Sequence, residues 1–287
     1  MFRRRRTIEY KTPEQIQKMR VAGLLVGETL ELLRRSAEPG MTTKDLDAIA
    51  EKNIRAAGGI PSFIGVPGGP GVQDFPATLC TSVNDEIVHG IPGPRVIRDG
   101  DVVSVDCGAI VDGWHGDAAV TIPVGDVAPE HLELLRVCEE SLWRGMAAAT
   151  LTGRINDIGD AIQSYVESCG DYGIVEEYVG HGIGSEMHMP PQVPNYSVSD
   201  KLEKIRPGLV LAVEPMVNLG DRRTRTLADG WTVSTVDGAY SAHFEHTFTV
   251  TEDGPWVLTA LDGGKDRIAA IRAAQAGRSP ISPSPQA

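Results

Sequence analysis

Apolar side chains recur every three or four positions over residues 13–36, which predicts an amphipathic helix. Thr12, Pro13 and Gln15 supply an N-cap, a first-turn proline and the glutamine of a capping box, so the helix should begin at residue 13. A shorter helix is expected from Thr42 or Thr43 to the glycine pair at 58–59. The residues expected to face the core are Ile16, Met19, Gly23, Val26, Leu30 and Leu33 in the first helix, and Leu46, Ile49 and Ile54 in the second.

A second helix pair is predicted about 110 residues further along the chain. Pro129 opens a long periodic segment, and residues 150–170 supply a shorter one. Because strand-like, glycine-punctuated sequence follows each pair, the pattern indicates a weak internal duplication, although chance similarity of helical patterns is the alternative. The residues expected to face the core are Leu132, Leu135, Cys138, Leu142 and Met146, and then Ile155, Ile158, Ile162 and Tyr165.

Runs rich in β-branched and apolar residues predict strands between and after the helices. The chain from about Gly264 is expected to form a short helix followed by a disordered tail. The predicted strands are residues 78–89, 101–110, 114–122, 209–219, 230–236 and 242–251.

Composition and charge exclude several classes of function. The 287 residues carry a net charge of −12, which argues against nonspecific binding of nucleic acid. The sequence contains neither a signal peptide nor a run of about 20 apolar residues, so we expect a cytoplasmic protein without a membrane partner. Reduced thiols are expected, with no structural zinc site, because the cysteines are widely spaced, at Cys80, Cys107, Cys138 and Cys169.

The one basic segment is Arg3–Arg6, near the N-terminus. A solvated, disordered tail is the first interpretation of this segment. Contact with an acidic partner such as ribosomal RNA is the second.

Two acids interrupt a hairpin that is otherwise apolar. Residues 103–121 have the sequence VSVDCGAIVDGWHGDAAVT, with a turn signal at Asp112-Gly113 and one acid in each arm, Asp106 and Asp117. With a loop of even length, both acids point to the same face and their carboxyl groups converge within about 5 to 8 Å. Two buried carboxylates at that separation need a cation between them or a retained proton. The hairpin therefore predicts either a metal site or an acid dyad.

Four other segments carry candidate chemistry, each with a plainer alternative. Glu214 interrupts the apolar run LVLAVEPMVN, which favours a functional role. His181 and His188 lie in the glycine-rich segment VGHGIGSEMHMPP, where each histidine taken alone is more often an ordinary polar loop residue. Alternation in SAHFEHTFTV places Glu245 on a solvent-facing side with the neighbouring threonines. His89 ends a strand before a Gly-Ile-Pro turn, where a histidine is as often structural as catalytic.

The order of these residues resembles a known pattern. Asp106, Asp117, His181, Glu214 and Glu245 occur in the order found in dinuclear-metal enzymes of the pita-bread (creatinase/aminopeptidase-like) fold, and within them in type I methionine aminopeptidases. The similarity extends from about Thr12 to Thr259, through the motifs TSVNDEIVHGIP, VSVDCGA, WHGDAAVT, GHGIG, AVEPM, DGWTV and FEHTFTV. It implies an α+β fold in which a curved, mainly antiparallel sheet is backed by two helix pairs in pseudo-twofold arrangement. It also overrides the solvent-facing interpretation of Glu245.

The resemblance implies a set of metal ligands. Asp106 would bind one divalent ion, His181 and Glu214 would bind a second, and Asp117 and Glu245 would bridge the two. The charge of the four carboxylates balances that of two divalent ions, and the oxygen-rich donor set suits Mn²⁺, Fe²⁺, Co²⁺ or Zn²⁺. Two such ions would activate a water molecule for attack on a peptide carbonyl.

The resemblance also implies roles around the reacting bond. Glu214 would accept the proton from the attacking water and pass it to the leaving amine. His188 would contact the scissile carbonyl, and His89 would contact the leaving side of the substrate.

A substrate pocket is implied by the same comparison. The residues that would hold a methionine side chain are Phe63, Phe75, Cys80 and Trp231. The sequence departs from the family here, because Val66 stands where the family usually has tyrosine and a Gly/Pro-rich insertion occupies residues 67–74. The insertion either reshapes the rim of the pocket or is a tolerated surface loop.

We therefore predict one catalytic domain at residues 12–263, with a basic tail at 1–11 and a partly disordered tail at 264–287. The predicted enzyme is a monomeric aminopeptidase that removes the initiator methionine from nascent proteins when the second residue is small. Its partners would be N-terminal peptides, with the arginine run bringing the enzyme near the ribosome, and no specific nucleic acid.

Three alternatives remain at the level of sequence. A proline-specific peptidase of the same fold usually carries a separate N-terminal domain, for which this chain is too short. A non-enzymatic binding protein derived from the fold would have lost metal ligands. A metal-free acid-dyad hydrolase would leave His181, Glu214 and Glu245 unexplained.

Overall fold

The computed structural model describes residues 7–276. Within this range the chain forms five helices and fifteen strands. The helices are Pro13–Ser36 (α1), Thr43–Ala56 (α2), Pro129–Ala148 (α3), Asn156–Cys169 (α4) and Lys265–Ala276 (α5). The strands are Ile60–Pro61 (β1), Leu79–Val83 (β2), Glu86–Val88 (β3), Val102–Val111 (β4), Trp114–Pro123 (β5), Gly173–Ile174 (β6), Gly180–Gly182 (β7), Met189–Val193 (β8), Val210–Val213 (β9), Met216–Asn218 (β10), Thr224–Thr226 (β11), Val233–Thr235 (β12), Ser241–His243 (β13), Glu245–Thr251 (β14) and Gly254–Val257 (β15).

The first two helices begin where their capping signals predict. The Thr12 hydroxyl accepts a hydrogen bond from the Gln15 backbone N–H at 3.3 Å, and the Gln15 side chain accepts one from the Thr12 backbone N–H at 2.8 Å. Thr42 and Asp45 cap α2 in the same way. The predicted core face of α1 is confirmed, since all six of its residues are buried, and α2 buries Leu46 and Ile54 with Ile49 half-buried.

Two predicted core positions in the second helix pair are wrong. Leu132 is 45% exposed, because Leu134 and Leu135 occupy the core-facing positions of that turn of α3. Tyr165 of α4 is only half-buried, and its hydroxyl accepts a 2.7 Å hydrogen bond from the Arg136 guanidinium. Val166 fills the core position beside it.

Nine of the described strands form one curved antiparallel sheet. Its main order is β1-β4-β5-β14-β9-β7-β8, with β2 added to β4 and β15 added to β14. The predicted turn joins β4 to β5, and its residues Asp112 and Gly113 have φ angles of 49° and 78°. Positive φ at both central positions matches the right-handed twist of the hairpin.

Several predicted strands are divided where a residue leaves the ladder. The run at 209–219 forms β9 and β10 on either side of Glu214-Pro215, because proline cannot donate to the ladder. The run at 78–89 forms β2 and β3 around Asn84, which has a φ of 62°. The strands that sequence periodicity did not predict are short or contain proline: β1, β6, β7, β8, β11 and β15.

The helix pairs cover the convex face of the sheet. Helix α1 lies against β5 so closely that a β-carbon at Gly116 would be 2.7 Å from the Gly23 backbone nitrogen. Helix α3 covers the other half, where the buried Cys138 thiol donates to the carbonyl oxygens of Pro215 at 3.2 Å and Ala242 at 3.3 Å. The concave face is therefore the one left for a site.

The ends of the chain fall partly outside the described residues. This applies to the arginine run at Arg3–Arg6 and to residues 277–287. Of the segment assigned to the basic tail, Lys11 is buried and its backbone N–H donates to the Gly208 carbonyl at 2.7 Å, while Glu9 accepts a hydrogen bond from the Ser185 backbone at 3.2 Å.

The helices and the cysteines of the described chain bear on two expectations from composition. None of the helices within residues 7–276 combines the length and apolar character that crossing a bilayer requires. All four cysteines are free thiols, as expected from their spacing.

Candidate metal centre and substrate pocket

Three neighbouring strands place three acids on the concave face. Asp106 of β4 and Glu245 of β14 both pair with Ala119 of β5, one from each side. Residues that pair across strands share a face, and Asp117 lies two positions from Ala119 on the same strand. The three side chains therefore point into the same space, as the hairpin pattern predicts for Asp106 and Asp117.

The other half of the sheet adds His181 and Glu214. His181 pairs with Ala212, and Glu214 lies two residues beyond Ala212, so both side chains point to the concave face. The His181 Nε2 atom lies 3.5 Å from a carboxylate oxygen of Glu214 and 3.9 Å from one of Asp117. The placement of His181 in a glycine-rich loop is wrong, because the residue lies in β7.

The alternation pattern of Glu245 is also misleading on its own. Glu245 is 2% exposed, and Thr247 and Thr249 on the same side of β14 are buried as well. The Thr247 hydroxyl donates to the Asp117 carbonyl at 2.8 Å. A polar side chain on this side of β14 therefore bonds to the neighbouring strand β5 instead of to solvent. Alternation indicates two different faces of a strand, but it does not show that the polar face meets water.

Burial and mutual repulsion disfavour ionisation of the four acids. Burial raises the pKa of Asp106 to about 7. Burial, with the added repulsion of the Asp106 carboxylate, raises the pKa of Asp117 well above its usual range, and the same two causes act on Glu214. Burial and the Asp117 carboxylate raise the pKa of Glu245 in the same way. Without a bound metal, the protein therefore holds these carboxyl groups in an environment that favours either their protonation or the binding of cations beside them.

Unsatisfied oxygen atoms show that the acids fit a metal. One carboxylate oxygen each of Asp106, Asp117 and Glu245 is buried and accepts no hydrogen bond from the part of the chain that the structure describes. Buried polar atoms are normally paired, and a buried carboxylate oxygen without a donor is a natural ligand for a hard or borderline cation. One ligand atom each of Asp117, His181 and Glu245 lies within 4.8 Å of the other two, which is close enough for a shared ion.

The imidazole of His181 also has the tautomer and the charge that suit a metal ligand. Its Nδ1 lies 3.0 Å from the Gly182 carbonyl oxygen, so Nδ1 carries the proton and donates it, and the Nε2 lone pair faces the acids. Burial, followed by the neighbouring His188, lowers the pKa of His181 to about 3, which keeps the ring neutral. A neutral histidine with a fixed tautomer is the form that binds a divalent ion.

His188 and His89 approach the acids from the rim of the cavity. The ring centroids of His181 and His188 are 4.5 Å apart, and the two ring planes are inclined at 67°. His89 has a φ of 60°, a conformation that non-glycine residues seldom adopt and that clusters at functional sites. The centroid of its ring lies 5.4 Å from that of Tyr178 and 6.4 Å from that of Trp231, and both contacts are edge-on. Burial lowers the pKa of His89 to about 4.

An apolar slot opens beside the five ligand-type residues. Phe63, Phe75 and Cys80 form a buried cluster with Met187, and Trp231 packs against it. The ring centroid of Phe75 lies 5.1 Å from that of Trp231 and 6.4 Å from that of Phe63, and both contacts are edge-on. The slot and the acids belong to one cavity of about 70 Å³, which is lined by Phe63, Val66, Phe75, Cys80, His89, Asp106, Asp117, His181, His188, Glu214, Trp231 and Glu245. The structure thus brings every site residue suggested by the sequence to one place.

Sequence reasoning missed several residues that hold this arrangement. The buried Asn195 amide donates to the Glu214 carbonyl at 3.0 Å and so fixes the backbone of a candidate ligand. Tyr178 supports the ring of His89, and Thr247 bonds the backbone of Asp117. The only local signal for Asn195 is its position directly after Pro194, and the contacts of Tyr178 and Thr247 join residues far apart in the chain.

Comparison with known proteins places these features in context. The model of metallopeptidase family M24 matches residues 17–252. Methionine aminopeptidase 1 of Bacillus subtilis (strain 168) is 49% identical over 251 residues, which are 88% of this chain and 98% of that protein.

Solved structures resemble the fold at two levels of sequence identity. A methionine aminopeptidase from Thermotoga maritima superposes with a TM-score of 0.84 at 40% identity, covering 88% of this chain and 100% of that chain. An Xaa-Pro dipeptidase from Bacillus anthracis superposes with a TM-score of 0.66 at 22% identity, covering 87% of this chain and 61% of that chain. The second likeness concerns the fold alone.

Proposed function

This chain belongs to metallopeptidase family M24, and from that membership we propose how its concave site acts as a methionine aminopeptidase. The predicted pita-bread fold and the predicted metal-dependent peptidase activity are both confirmed by the comparisons. The observation that carries the proposal is one cavity that joins a cluster of ligand-type side chains to an aromatic, apolar slot. The first part suits hydrolysis, and the second suits an unbranched apolar side chain at the N-terminus.

Five residues would hold the metal. By the resemblance to the family, Asp106 would hold one divalent ion, His181 and Glu214 a second, and Asp117 and Glu245 both. The structure supports the set as a whole, because these side chains share one face and one carboxylate oxygen each of Asp106, Asp117 and Glu245 is buried without a donor. Divalent ions bound there would neutralise the carboxylates and supply Lewis-acid activation of the attacking water and of the peptide carbonyl.

The protein's own groups then handle protons and charge. Glu214 would accept the proton released by the attacking water, because its carboxylate lines the cavity that also holds the other acids and the substrate slot. The same carboxyl group can pass that proton to the leaving amine. His188 donates a hydrogen bond to the oxygen of the scissile carbonyl as negative charge develops there. His89, held by Tyr178 and Trp231, contacts the leaving side of the substrate.

The apolar slot selects the N-terminal side chain. The edges of Phe75 and Trp231 and the thiol of Cys80 offer a narrow, polarisable wall, which favours a flexible thioether over a branched or charged side chain. Burial raises the pKa of the Cys80 thiol well above its usual range, so the thiol stays neutral and acts as an apolar contact.

The natural substrates are proposed to be new polypeptides whose second residue is small. The enzyme would act as a monomer in the cytoplasm, and the arginine run would hold it near the ribosome. The relatives named methionine aminopeptidases support the substrate class, and the basic N-terminal segment is the support for contact with the ribosome.

The deciding experiment combines metal dependence with substrate choice. Protein purified without added ions is stripped with a chelator, reloaded separately with Mn²⁺, Fe²⁺, Co²⁺ or Zn²⁺, and assayed on Met-Ala-x and x-Pro-x peptides. Release of methionine that disappears with the chelator and returns with an ion supports the proposal. Unchanged cleavage after stripping would favour the acid-dyad alternative, and preference for x-Pro-x would favour the proline-specific one.

A further inference from the structure

We infer that the loop at residues 67–74 is a brace that holds the indole of Trp231 against the substrate slot and thereby sets the slot's selectivity. The inference rests on the proposed function, because it concerns which side chain the slot accepts. It decides between the two interpretations of this Gly/Pro-rich insertion, and it makes the loop a specificity-determining element.

The loop is closed at its base by backbone hydrogen bonds that include a residue of the slot. The Phe75 N–H donates to the Val66 carbonyl at 2.9 Å, and the Gly65 N–H donates to the Phe75 carbonyl at 2.9 Å. Phe75 is 2% exposed and Val66 lines the same cavity, so the point where the loop begins and ends is part of the pocket wall.

The loop is folded tightly on itself rather than extended into solvent. The Val72 N–H donates to the Gly69 carbonyl at 2.9 Å, and a β-carbon at Gly68 would lie 2.6 Å from the carbonyl oxygens of both Val72 and Gln73. Only glycine allows so close an approach of the two arms. The tip that carries Val72 and Gln73 therefore has a defined position.

That tip contacts the turn that carries Trp231. The indole N–H of Trp231 donates to the Gln73 carbonyl at 2.8 Å. The Val72 side chain covers Gly230, where a β-carbon would lie 2.6 Å from a Val72 methyl group. From the other side, the Asp229 carboxylate accepts hydrogen bonds of 2.9 Å from the backbone of Trp231 and of Thr232.

These contacts leave the indole little freedom. Its polar edge is bound to the loop, and its backbone is bound to Asp229. Its ring contacts Phe75 at 5.1 Å and His89 at 6.4 Å. Without the loop, the N–H would lose its partner and the turn would lose the cover of Val72, so the wall of the slot would move outward. Four of the candidate ligands lie on strands of the main sheet and Glu214 directly follows one, and the hydrogen bonds of the loop do not reach these strands.

A loosened wall has a defined kinetic consequence. Ground-state binding of the methionyl side chain should weaken, whereas the chemical step should be unchanged. A bulkier or branched N-terminal side chain should lose less binding free energy than the methionine side chain does, so discrimination between the two substrates should fall. A residue with a merely structural role would change the amount of folded enzyme but not this ratio.

The test replaces residues 67–74 by Asn-Gly, which suits the β-turn that the Val66–Phe75 hydrogen bond defines. We expect KM for Met-Ala-Ser to rise about tenfold, kcat and metal content to stay within about twofold, and the preference for Met-Ala-Ser over Leu-Ala-Ser to fall about tenfold. The milder variant Val72→Ser, which keeps the loop, should move the same parameters in the same direction. It is the readout if the shortened chain does not fold.

A double-mutant cycle separates the brace from other effects of the loop. In the Trp231→Phe background the indole N–H is already absent, so shortening the loop should add little to the loss of selectivity. The contribution of Trp231 to the fluorescence, obtained by subtracting the Trp231→Phe spectrum, should shift to longer wavelength in the shortened chain. If the parent enzyme cleaves Met-Ala-Ser and the variants keep its KM and its Met/Leu ratio, or if the two changes are additive, the inference is wrong while the proposed function stands. If the parent enzyme does not cleave Met-Ala-Ser, the proposed function fails first.

Discussion

Asp106 and Glu245 flank Ala119 from opposite sides, in one row across three strands of the sheet. Two acids that are distant in sequence are therefore held by the backbone ladder on the same buried face, beside Asp117. Their positions do not depend on flexible side chains or on a loop, which is the condition for a rigid ligand set.

Removing an acid of this row should remove metal and activity together. We expect Asp106→Asn and Glu245→Gln each to lower bound metal markedly and to reduce turnover of a Met-Gly-x peptide about 100-fold or more, because a neutral amide is a poor ligand. Elemental analysis after purification without added ions, paired with the peptide assay, measures both effects.

The matched control is Glu86→Gln. Burial raises the pKa of Glu86 too, but this acid accepts hydrogen bonds from the Val83 backbone and from Arg95 outside the cavity. This variant should keep its metal and its turnover. Full turnover in Asp106→Asn or Glu245→Gln would count against the ligand assignment.

Removing the His188 ring should separate chemistry from metal binding. We expect His188→Ala to lower kcat by about 10² to 10³-fold, the typical loss of one hydrogen-bond donor to a developing oxyanion, with unchanged metal content. His131→Ala is the control, since that ring stacks on Tyr240 at 3.8 Å, at the start of α3. Loss of metal together with kcat would show that His188 is a ligand instead.

The metal-free protein should lose stability as the pH rises above about 6.5. Each acid of the site has a pKa that is higher in the folded state than in the unfolded state, so its stabilising contribution is full at low pH and is lost as the pH rises through the folded value, about 7 for Asp106. For Asp106 alone the rise from 3.8 to about 7 corresponds to ~4 kcal/mol, which is lost progressively between those two pH values. Above pH 6.5 the loss comes mainly from Asp117, Glu214 and Glu245, whose pKa values burial and mutual repulsion raise well above their usual range. Buried histidines act in the opposite sense, but only below their ordinary pKa of 6.5, because burial lowers their folded pKa values to about 3 or 4; they are His89, His181, His243 and His246.

Thermal unfolding in the presence of a chelator tests this balance. Between pH 6.5 and 9 the Tm of the metal-free protein should fall by about 5 °C or more. The fall should be much smaller with saturating Mn²⁺, because bound cations replace the protons. A Tm of the metal-free protein that is flat or rising over this interval would show that the acids are not repelling one another as described.

The contact between Gly116 and α1 should be intolerant of even a methyl group. Gly116→Ala places a β-carbon 2.7 Å from the Gly23 nitrogen, backbone against backbone, so the helix must move away from the strand that carries Asp117. We expect a loss of about 1 to 3 kcal/mol in the free energy of unfolding. Gly93→Ala, where the nearest atom would be at 3.8 Å, should change it by less than about 0.5 kcal/mol. Denaturant unfolding of the metal-loaded proteins measures both, and equal stability of the two variants would exclude the close approach.

Local signals in the chain were sufficient for elements whose structure is decided by near neighbours. Thr12 and Gln15 define the start of α1, because the capping box lies within four residues. The Asp112-Gly113 turn defines the register of β4 and β5, and with it the shared face of Asp106 and Asp117. The remaining ligands were recognised through their resemblance to a family, and the alternation around Glu245 taken alone pointed to solvent.

The sequence by itself thus determined the helix starts and the acid-bearing hairpin, because each depends on contacts of short range. Only the tertiary structure decided that the polar side of β14 is buried, that His181 lies in a strand, and that Gln73 holds Trp231. The physical reason is that burial of a face depends on what packs over it. That covering comes from segments distant in the chain, whose arrival no local pattern records.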